Sequence, residues 1–431
     1  MLMNDVKVIG GGLAGCEAAW QLAQRGCQVF LWEMRPKKMT PAHSSGELAE
    51  LVCSNSLGAK NPDSAGGLLK AELQKLNSLI MDCAYQAQVP AGGALAVDRH
   101  QFAQLITWRI TNHPNIHIKR GEWSQFPSAP AIIATGPLTS AEFSETLRDN
   151  LGEDMLFFYD AASPIIDAES IDYSKAFFAA RYGKGGEDYL NCPMNQEEYR
   201  VFFQNLVEAK SVVLKDFEGD IYFEHCLPVE VIASRGPKTL TFGPLKPVGL
   251  VDPHTGQQPY AVVQLRKEDV QGQLFNMVGF QTNLTWGEQK RVFRMIPGLE
   301  KAEFVRYGVM HRNTFVHAPR VLGKNFQLQA FPGVYIAGQL SGVEGYLEST
   351  ASGLTAALDL WANLHGGSVD FPRETLMGSL SDYVTRPNKN FQPMNANFGL
   401  LPPLQKKVSK RERRKLYVDR ALEEMLFFAK D

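Results

Sequence analysis

The chain has 431 residues, 44% of them hydrophobic, and a net charge of −2; that length exceeds one ordinary core and predicts two domains. No apolar run approaches the roughly 18–20 residues that cross a bilayer, and residues 1–5 do not read as a signal peptide, so a membrane protein is excluded and a cytoplasmic one expected. Six cysteines scattered without a Cys-x-x-Cys spacing exclude a disulfide framework and a zinc site, and no metal is expected.

The chain opens on an apolar β-rich run, Val6-Lys7-Val8-Ile9, that leads into Gly10-Gly11-Gly12-Leu13-Ala14-Gly15 and an Ala-rich helix. A second apolar run, Val29-Phe30-Leu31-Trp32, ends in Glu33. Strand, Gly-x-Gly-x-x-Gly turn, helix and terminal acid together predict a βαβ unit that binds a dinucleotide. Gly10 permits the tight turn, Gly12 lets the backbone approach the pyrophosphate, and Gly15 lets the helix pack closely on the strand. Free N–H groups at the helix start face the phosphates. Glu33 is placed to accept hydrogen bonds from a ribose, and its charge disfavours a 2′-phosphate, so FAD or NAD fits better than NADP. The position of the motif at the start of a long chain argues for FAD.

After a loop broken by Pro36 and Pro41, Cys53 falls among small polar residues, Cys53-Ser54-Asn55-Ser56, and not on an apolar face. A thiol there is either inert or exposed beside the cofactor. Residues 66–82 read as one amphipathic helix, with Leu68, Leu69, Leu73, Leu76, Leu79 and Ile80 on a single face. Asp98 reads as the cap of a further helix, with Gln101 as its reciprocal partner. Ala131–Thr135 followed by Gly136 reads as a buried parallel strand ending at a second nucleotide-contacting turn. From about residue 160 the text becomes aromatic and irregular. Tyr and Phe interleave there with Arg181 and Lys184, which suits either the core of an inserted domain or stacking on unpaired bases. Cys226 sits beside His225 and two carboxylates, but neighbours on an extended segment point to opposite faces, so His225 is not assumed to deprotonate it. Near the far end, Val334–Ala337 is a buried strand running into Gly338-Gln339-Leu340-Ser341-Gly342-Val343-Glu344-Gly345-Tyr346 and a helix of small residues, which closes the cofactor site. Residues 405–420 carry eight basic and two acidic side chains, a local +6 against −8 elsewhere, the one compositional hint of a polyanionic partner.

Gly10–Ala19, Glu33-Met34-Arg35-Pro36, Glu50–Ser56, Tyr307–Asn313 and Gly338–Tyr346 together resemble the folate- and FAD-dependent tRNA uracil-5-methyltransferases. The resemblance implies an α/β fold: a glutathione-reductase-type FAD-binding Rossmann domain with an inserted α+β domain. Residues 1–160 and 301–431 would form the FAD part, ending in a basic helix, and 161–300 the inserted substrate and RNA domain. It implies FAD contacts from Gly10, Gly11, Gly12, Leu13, Ala14, Gly15, Glu33, Gly338, Gln339, Gly342, Gly345 and Tyr346. It further implies functional thiols at Cys53 and Cys226 and a folate contact at His311. Gln339 departs from the wider flavoprotein pattern, in which Asp is common, and this weakens a generic reductase reading.

The implied product is 5-methyluridine at position 54 in the T-loop of tRNA, with carbon from 5,10-methylenetetrahydrofolate and electrons from NAD(P)H through reduced FAD. That chemistry asks for a thiolate to add at C6 of the uracil, which makes C5 nucleophilic, and for a second group to remove the C5 proton. Which of Cys53 and Cys226 does which stays open. The RNA is expected to meet Lys406, Lys407, Lys410, Arg411, Arg413 and Arg414, grouped on adjoining sides of a helix. Alternatives are a related enzyme acting on ribosomal RNA, a wobble-uridine tRNA modification flavoprotein, which is longer at its C-terminus, and a small-molecule NAD(P)H–flavin oxidoreductase, which needs neither the cationic tail nor paired thiols.

Overall fold

The structure, a computed structural model, describes residues 5–152, 155–161, 163–183, 186–212, 227–308, 310–388, 391–404 and 408–428. Val6, Val8, Ile9, Val29 and Leu31 are almost fully buried, as strands covered on both faces require. They belong to a five-stranded parallel sheet in the order Val334–Ile336, Ala131–Ile133, Asp5–Ile9, Gln28–Glu33, Ile116–Arg120. Val8 stands opposite Leu31 on one side and Ile132 on the other. Segments 300 residues apart in sequence therefore end at one edge, the carboxyl ends of the strands, where open α/β sheets bind ligands.

Two close approaches of backbone lock the first helix, Leu13–Gln24, in place. A Cβ at Gly15 would stand 1.8 Å from the Gly10 carbonyl oxygen, so the helix lies against the first strand at a distance only glycine allows. On its other side Gly353, in the helix Tyr346–Leu364, brings that helix within 2.3 Å of Ala14 O measured from an added Cβ.

The stretch expected as one helix over 66–82 is two, Ala65–Lys75 and Leu79–Gln86. Asn77 between them takes a left-handed φ of 55°, a conformation short polar side chains tolerate. The Ser78 hydroxyl then caps the second helix by accepting from Met81 N. Both helices bury their leucines in the same core, so the apolar period runs unbroken across the joint. Glu17, fully buried in the first helix, accepts from Ser78 Oγ at 2.8 Å and Ile80 N at 3.0 Å, and so ties the first helix to the start of Leu79–Gln86. Asp98 caps Arg99–Thr111 as expected, accepting from the amides of His100 and Gln101, but the reciprocal bond expected from Gln101 is replaced: the Asp98 amide donates to Ala87 O. Its other oxygen takes the amide of Val270.

Glu72 does similar work at longer range. Its fully buried carboxylate accepts from Leu376 N at 2.8 Å and Met377 N at 2.9 Å, the first turn of the helix Leu376–Thr385. Burial pushes the Glu72 carboxyl up to about 8, against the two amides that lower it. The folded value exceeds the unfolded one of about 4.3, so folding takes up a proton between them. The stability this contributes is complete below the unfolded value and lost as pH rises through about 8. Glu72→Gln is expected to flatten the decline of the thermal midpoint between about pH 5 and 8. An unchanged slope in that variant would mean that Glu72 does not titrate there.

A second, antiparallel sheet has six strands in the order Phe177–Phe178, Tyr189–Met194, Ala261–Lys267, Leu274–Met277, Ile165–Asp167, Phe304–Arg306. Its last strand lies past the boundary expected at residue 300. One face is apolar, with Leu190, Cys192, Val263, Leu265 and Phe275 packed together with Tyr199, Phe202 and Phe293 from helices. Several aromatics of this region are therefore core. Tyr173 and Tyr182 stay exposed. The chain passes between the two sheets through Met155–Ala161 and Met310–Val316, which pair antiparallel with His311 opposite Asp160.

The final helix is Lys410–Phe428. It starts at Lys410, with Ser409 Oγ accepting from Glu412 N, and residues 408 and 409 are not helical. Lys406 and Lys407 lie outside the described residues. Tyr417, Val418, Ala421 and Met425 are buried in the core of the first domain. Arg413, Arg414 and Lys415 are exposed, and the side chains of Lys410 and Arg411 lie outside the described part. Arg420 is turned inward: its Nη2 donates to Pro402 O at 2.7 Å and its guanidinium lies over Tyr417. Among the described residues no helix is long and apolar enough to cross a membrane.

Candidate active site

A cleft opens at the carboxyl ends of the parallel strands. Gly10–Ala14, Glu33, Arg35, Val52, Thr135–Ser140, Gly338, Gln339 and Tyr346 contribute to its lining. Gly10 has φ +106°, and a Cβ there would stand 2.3 Å from Ala134 O, so the turn crosses over the neighbouring strand. At Gly12 a Cβ would meet nothing within 4 Å. Packing does not demand that glycine; the space it keeps clear belongs to the cleft. No side chain caps the helix that follows, which leaves its first N–H groups for a ligand.

Glu33 is buried at the rim. Its carboxylate accepts from Gly11 N at 3.0 Å and from Arg35 through N (2.9 Å), Nε (3.0 Å) and Nη2 (3.1 Å). Burial pushes the carboxyl up, but the Arg35 and Gly11 bonds outweigh it and hold the group below its usual range, so it is anionic. Arg35 also reaches Glu50 at 3.3 Å. Removing either partner of a buried pair of this kind costs about 3–5 kcal/mol. Glu33 is thus a fixed acceptor with a positioning arginine, and Arg35 is a site residue that sequence reasoning quoted without assigning it a role.

At the opposite wall Gln339 Nε2 donates to both carboxylate oxygens of Glu344 at 2.8 Å, and Gly338 N donates to Ser352 Oγ. Gly342 and Gly345 do not line the cleft. A Cβ on Gly342 would run into the Phe391 ring at 2.4 Å, and one on Gly345 into the Glu348 carboxylate at 2.2 Å. Packing explains both glycines.

Tyr346 joins the cleft to Cys53: the amide of Cys53 donates to Tyr346 Oη at 2.8 Å. Further bonds hold the thiol's loop. Ala49 N donates to Gly11 O, Arg306 Nη2 donates to Val52 O at 2.7 Å, and Arg99 donates to the carbonyls of Leu51 and Cys53. Cys53 is partly exposed, whereas Cys16, Cys27, Cys83 and Cys192 are buried. Burial pushes the Cys83 and Cys192 thiols up to about 12 and Cys16 higher still, which leaves them inert near neutrality. Cys226 lies outside the described residues, as does the side chain of His311, whose backbone stands in the pairing strand. The structure thus brings Gly10–Ala14, Glu33, Gly338, Gln339, Tyr346 and the Cys53 loop together. Arg99, Arg266 and Arg306, which surround that loop, escape a pattern-based reading because charged residues there read as surface.

A protein-family profile described as "Glucose inhibited division protein A" matches residues 5–368. The methylenetetrahydrofolate–tRNA-(uracil-5-)-methyltransferase TrmFO of Natranaerobius thermophilus is 59% identical over 420 residues, 97% of each chain. The chain belongs to the glucose-inhibited division protein A family and, within it, to these methyltransferases. The TrmFO of Exiguobacterium sibiricum is 57% identical over 426 residues, 98% of each chain. GidA of Aquifex aeolicus matches in fold, with a TM-score of 0.70 over 99% of this chain and 73% of its own at 16% identity. The expected FAD-binding α/β fold with a parallel Rossmann sheet agrees with that likeness. Membership of the methyltransferase family implies FAD and folate. The residues here fit FAD: the open space at Gly12, the uncapped helix start and the anchored Glu33 stand in one cleft.

Proposed function

We propose that the protein methylates C5 of uridine in tRNA, at position 54 of the T-loop, taking carbon from 5,10-methylenetetrahydrofolate and electrons from NAD(P)H. The observation that carries this reading is the bond from the Cys53 amide to Tyr346, which ties the backbone of a partly exposed cysteine to a residue lining the cleft. The identity of 59% to a methylenetetrahydrofolate–tRNA-(uracil-5-)-methyltransferase supports the substrates.

Gly12 and the helix start would hold the pyrophosphate of FAD, and Glu33, anchored by Arg35, its ribose. Bound FAD supplies the two electrons that bring a carbon at the formaldehyde level to methyl. Cys53 or Cys226 adds to C6 of the uracil and raises electron density at C5; the other thiol removes the C5 proton once the new carbon is attached. His311 packs on the folate ring, and the basic start of the last helix receives phosphates.

Incubation with labelled methylenetetrahydrofolate, NAD(P)H and unmodified tRNA is expected to yield labelled 5-methyluridine at position 54. Label in ribosomal RNA alone would reassign the substrate. No label in either RNA, with continued oxidation of NAD(P)H, would reduce the protein to a flavin oxidoreductase.

A further inference from the structure

The face of the antiparallel sheet turned away from its helices carries an apolar cluster of Phe177, Leu250 and Val262, but further along it is polar and yet buried. Along the strand Ala261–Lys267 it carries Gln264 and Arg266, followed by Glu268, with exposures of 8%, 6% and 4%. Asn191 stands opposite Gln264 and Asn276 opposite Arg266 in register. The polar face of an antiparallel sheet ordinarily meets water. Here it meets the Cys53 loop. Arg266 Nε donates to Asn55 Oδ1 at 2.8 Å, Asn55 Nδ2 donates to Lys267 O at 3.0 Å, and Arg99 links Glu268 at 3.0 Å to the Cys53 carbonyl.

One half of this face is satisfied within the protein: Gln264 bonds Asn191 and receives Arg181 Nε. The half nearer Cys53 is not. Among the described residues Arg266 makes a single side-chain hydrogen bond, through Nε, although a guanidinium offers five N–H groups. Among the described residues Asn276 Nδ2 and Glu268 Oε1 are buried with no partner. Buried polar atoms are almost always paired; the Arg266 Nη groups are not among the buried atoms that lack a partner, so they face space that water or a ligand can reach. Arg266 is thereby bonded two residues from Cys53 along the loop, while Arg99 and Arg306 hold the Cys53 and Val52 carbonyls.

We propose that Arg266 is a catalytic residue that donates hydrogen bonds to the C4 oxygen of the target uracil. The proposal rests on the reading of Cys53 as a thiol at the reacting base. When the thiolate forms the S–C6 bond, the C5=C6 π pair moves to C4–C5 and the C4=O π pair moves onto oxygen. The negative charge then sits on O4 until C5 attacks the one-carbon electrophile and the pair returns. This step transfers no proton and needs no oxidant. Donors fixed in advance at a developing oxyanion stabilise the transition state more than the ground state. The same donors oppose the amino group that cytosine carries at C4, which gives the site a reason to select uracil.

The test compares FAD-loaded wild type with Arg266→Gln, Arg266→Lys and Cys53→Ala on unmodified tRNA. In Arg266→Gln, kcat for methylation is expected to fall about 100-fold, with KM for tRNA within about twofold of wild type and flavin content unchanged. Arg266→Lys, which keeps the charge and loses the fork, is expected to recover about tenfold of that loss. Wild-type kcat in Arg266→Gln overturns the proposal, as does a loss confined to KM or one that tracks flavin content. If the Gln variant does not fold, the Lys variant decides: a kcat about tenfold below wild type with flavin bound supports the role, and an unchanged kcat overturns it. Full methylation by Cys53→Ala, by contrast, overturns the assignment of Cys53 itself.

Discussion

Cys53→Ala and Cys226→Ala are each expected to abolish uridine methylation, by at least about 1000-fold, while FAD stays bound. At Cys53 the expectation follows from place. The thiol is partly exposed, its amide is tied to Tyr346 in the cleft wall, and arginines hold its loop. Those bonds are made by the backbone of the loop, so alanine leaves them in place while it removes the sulfur. Gly12 and Glu33 are untouched, and the flavin absorbance should survive. Cys16, Cys27, Cys83 and Cys192, buried as small hydrophobes, serve as controls and should keep activity as alanine. Turnover assays with labelled folate check the set. Methylation retained in both Cys53→Ala and Cys226→Ala would remove the covalent mechanism; loss in only one would name the nucleophile.

The second large effect is expected at the start of the last helix. Changing Arg411, Arg413 and Arg414 together to Glu should raise the dissociation constant for tRNA on the order of 100-fold at low salt and flatten its salt dependence by about three in slope. Arg413 and Arg414 are exposed, whereas the same helix buries Tyr417, Val418, Ala421 and Met425 further along. The charged turn is therefore carried on an anchored support, and Arg413 and Arg414 project away from the core. Oxidation of NAD(P)H without RNA should stay intact. Wild-type affinity and salt slope in a binding titration would sink the idea and make this turn a solvated surface. Arg181 is a weaker alternative grip, since it is committed to Gln264 and to the Lys246 and Val248 carbonyls.

The parallel sheet is legible in the sequence because its strands are continuous apolar runs and its turns need glycine for reasons that are local: a positive φ at Gly10, a contact at Gly15. The joint at Asn77 is not, because leucines on both sides bury in one core and their period hides a left-handed residue. The surroundings of Cys53 are illegible for a different reason. Arg99 and Glu268 are 169 residues apart, and each reads as surface until the sheet of the second domain is laid against the loop of the first. The function is legible through resemblance, carried by Glu33, Cys53 and the stretch from Gly338 to Tyr346; the roles of Arg35 and Arg266 need coordinates, since hydrogen-bond satisfaction has no sequence period. Gly342 and Gly345 show the converse, glycines in a cofactor-like motif that close packing and a positive φ already require.

The contact of Gly353 with Ala14 also sets a clock. At roughly 5–20 residues per second of synthesis, on the order of half a minute separates the emergence of these two positions from the ribosome. Through that interval the first helix has its strand beneath it but nothing over its far side, where leucine and alanine side chains await the helix Tyr346–Leu364. The nucleotide-binding unit, although written first, is among the last parts of the molecule to be finished. FAD arriving before then meets only half of its cleft, because Gly338, Gln339 and Tyr346 have yet to be made. Flavin capture is thereby tied to completion of the chain, and a nascent protein stalled within the second domain would hold the cofactor motif without the means to retain the cofactor.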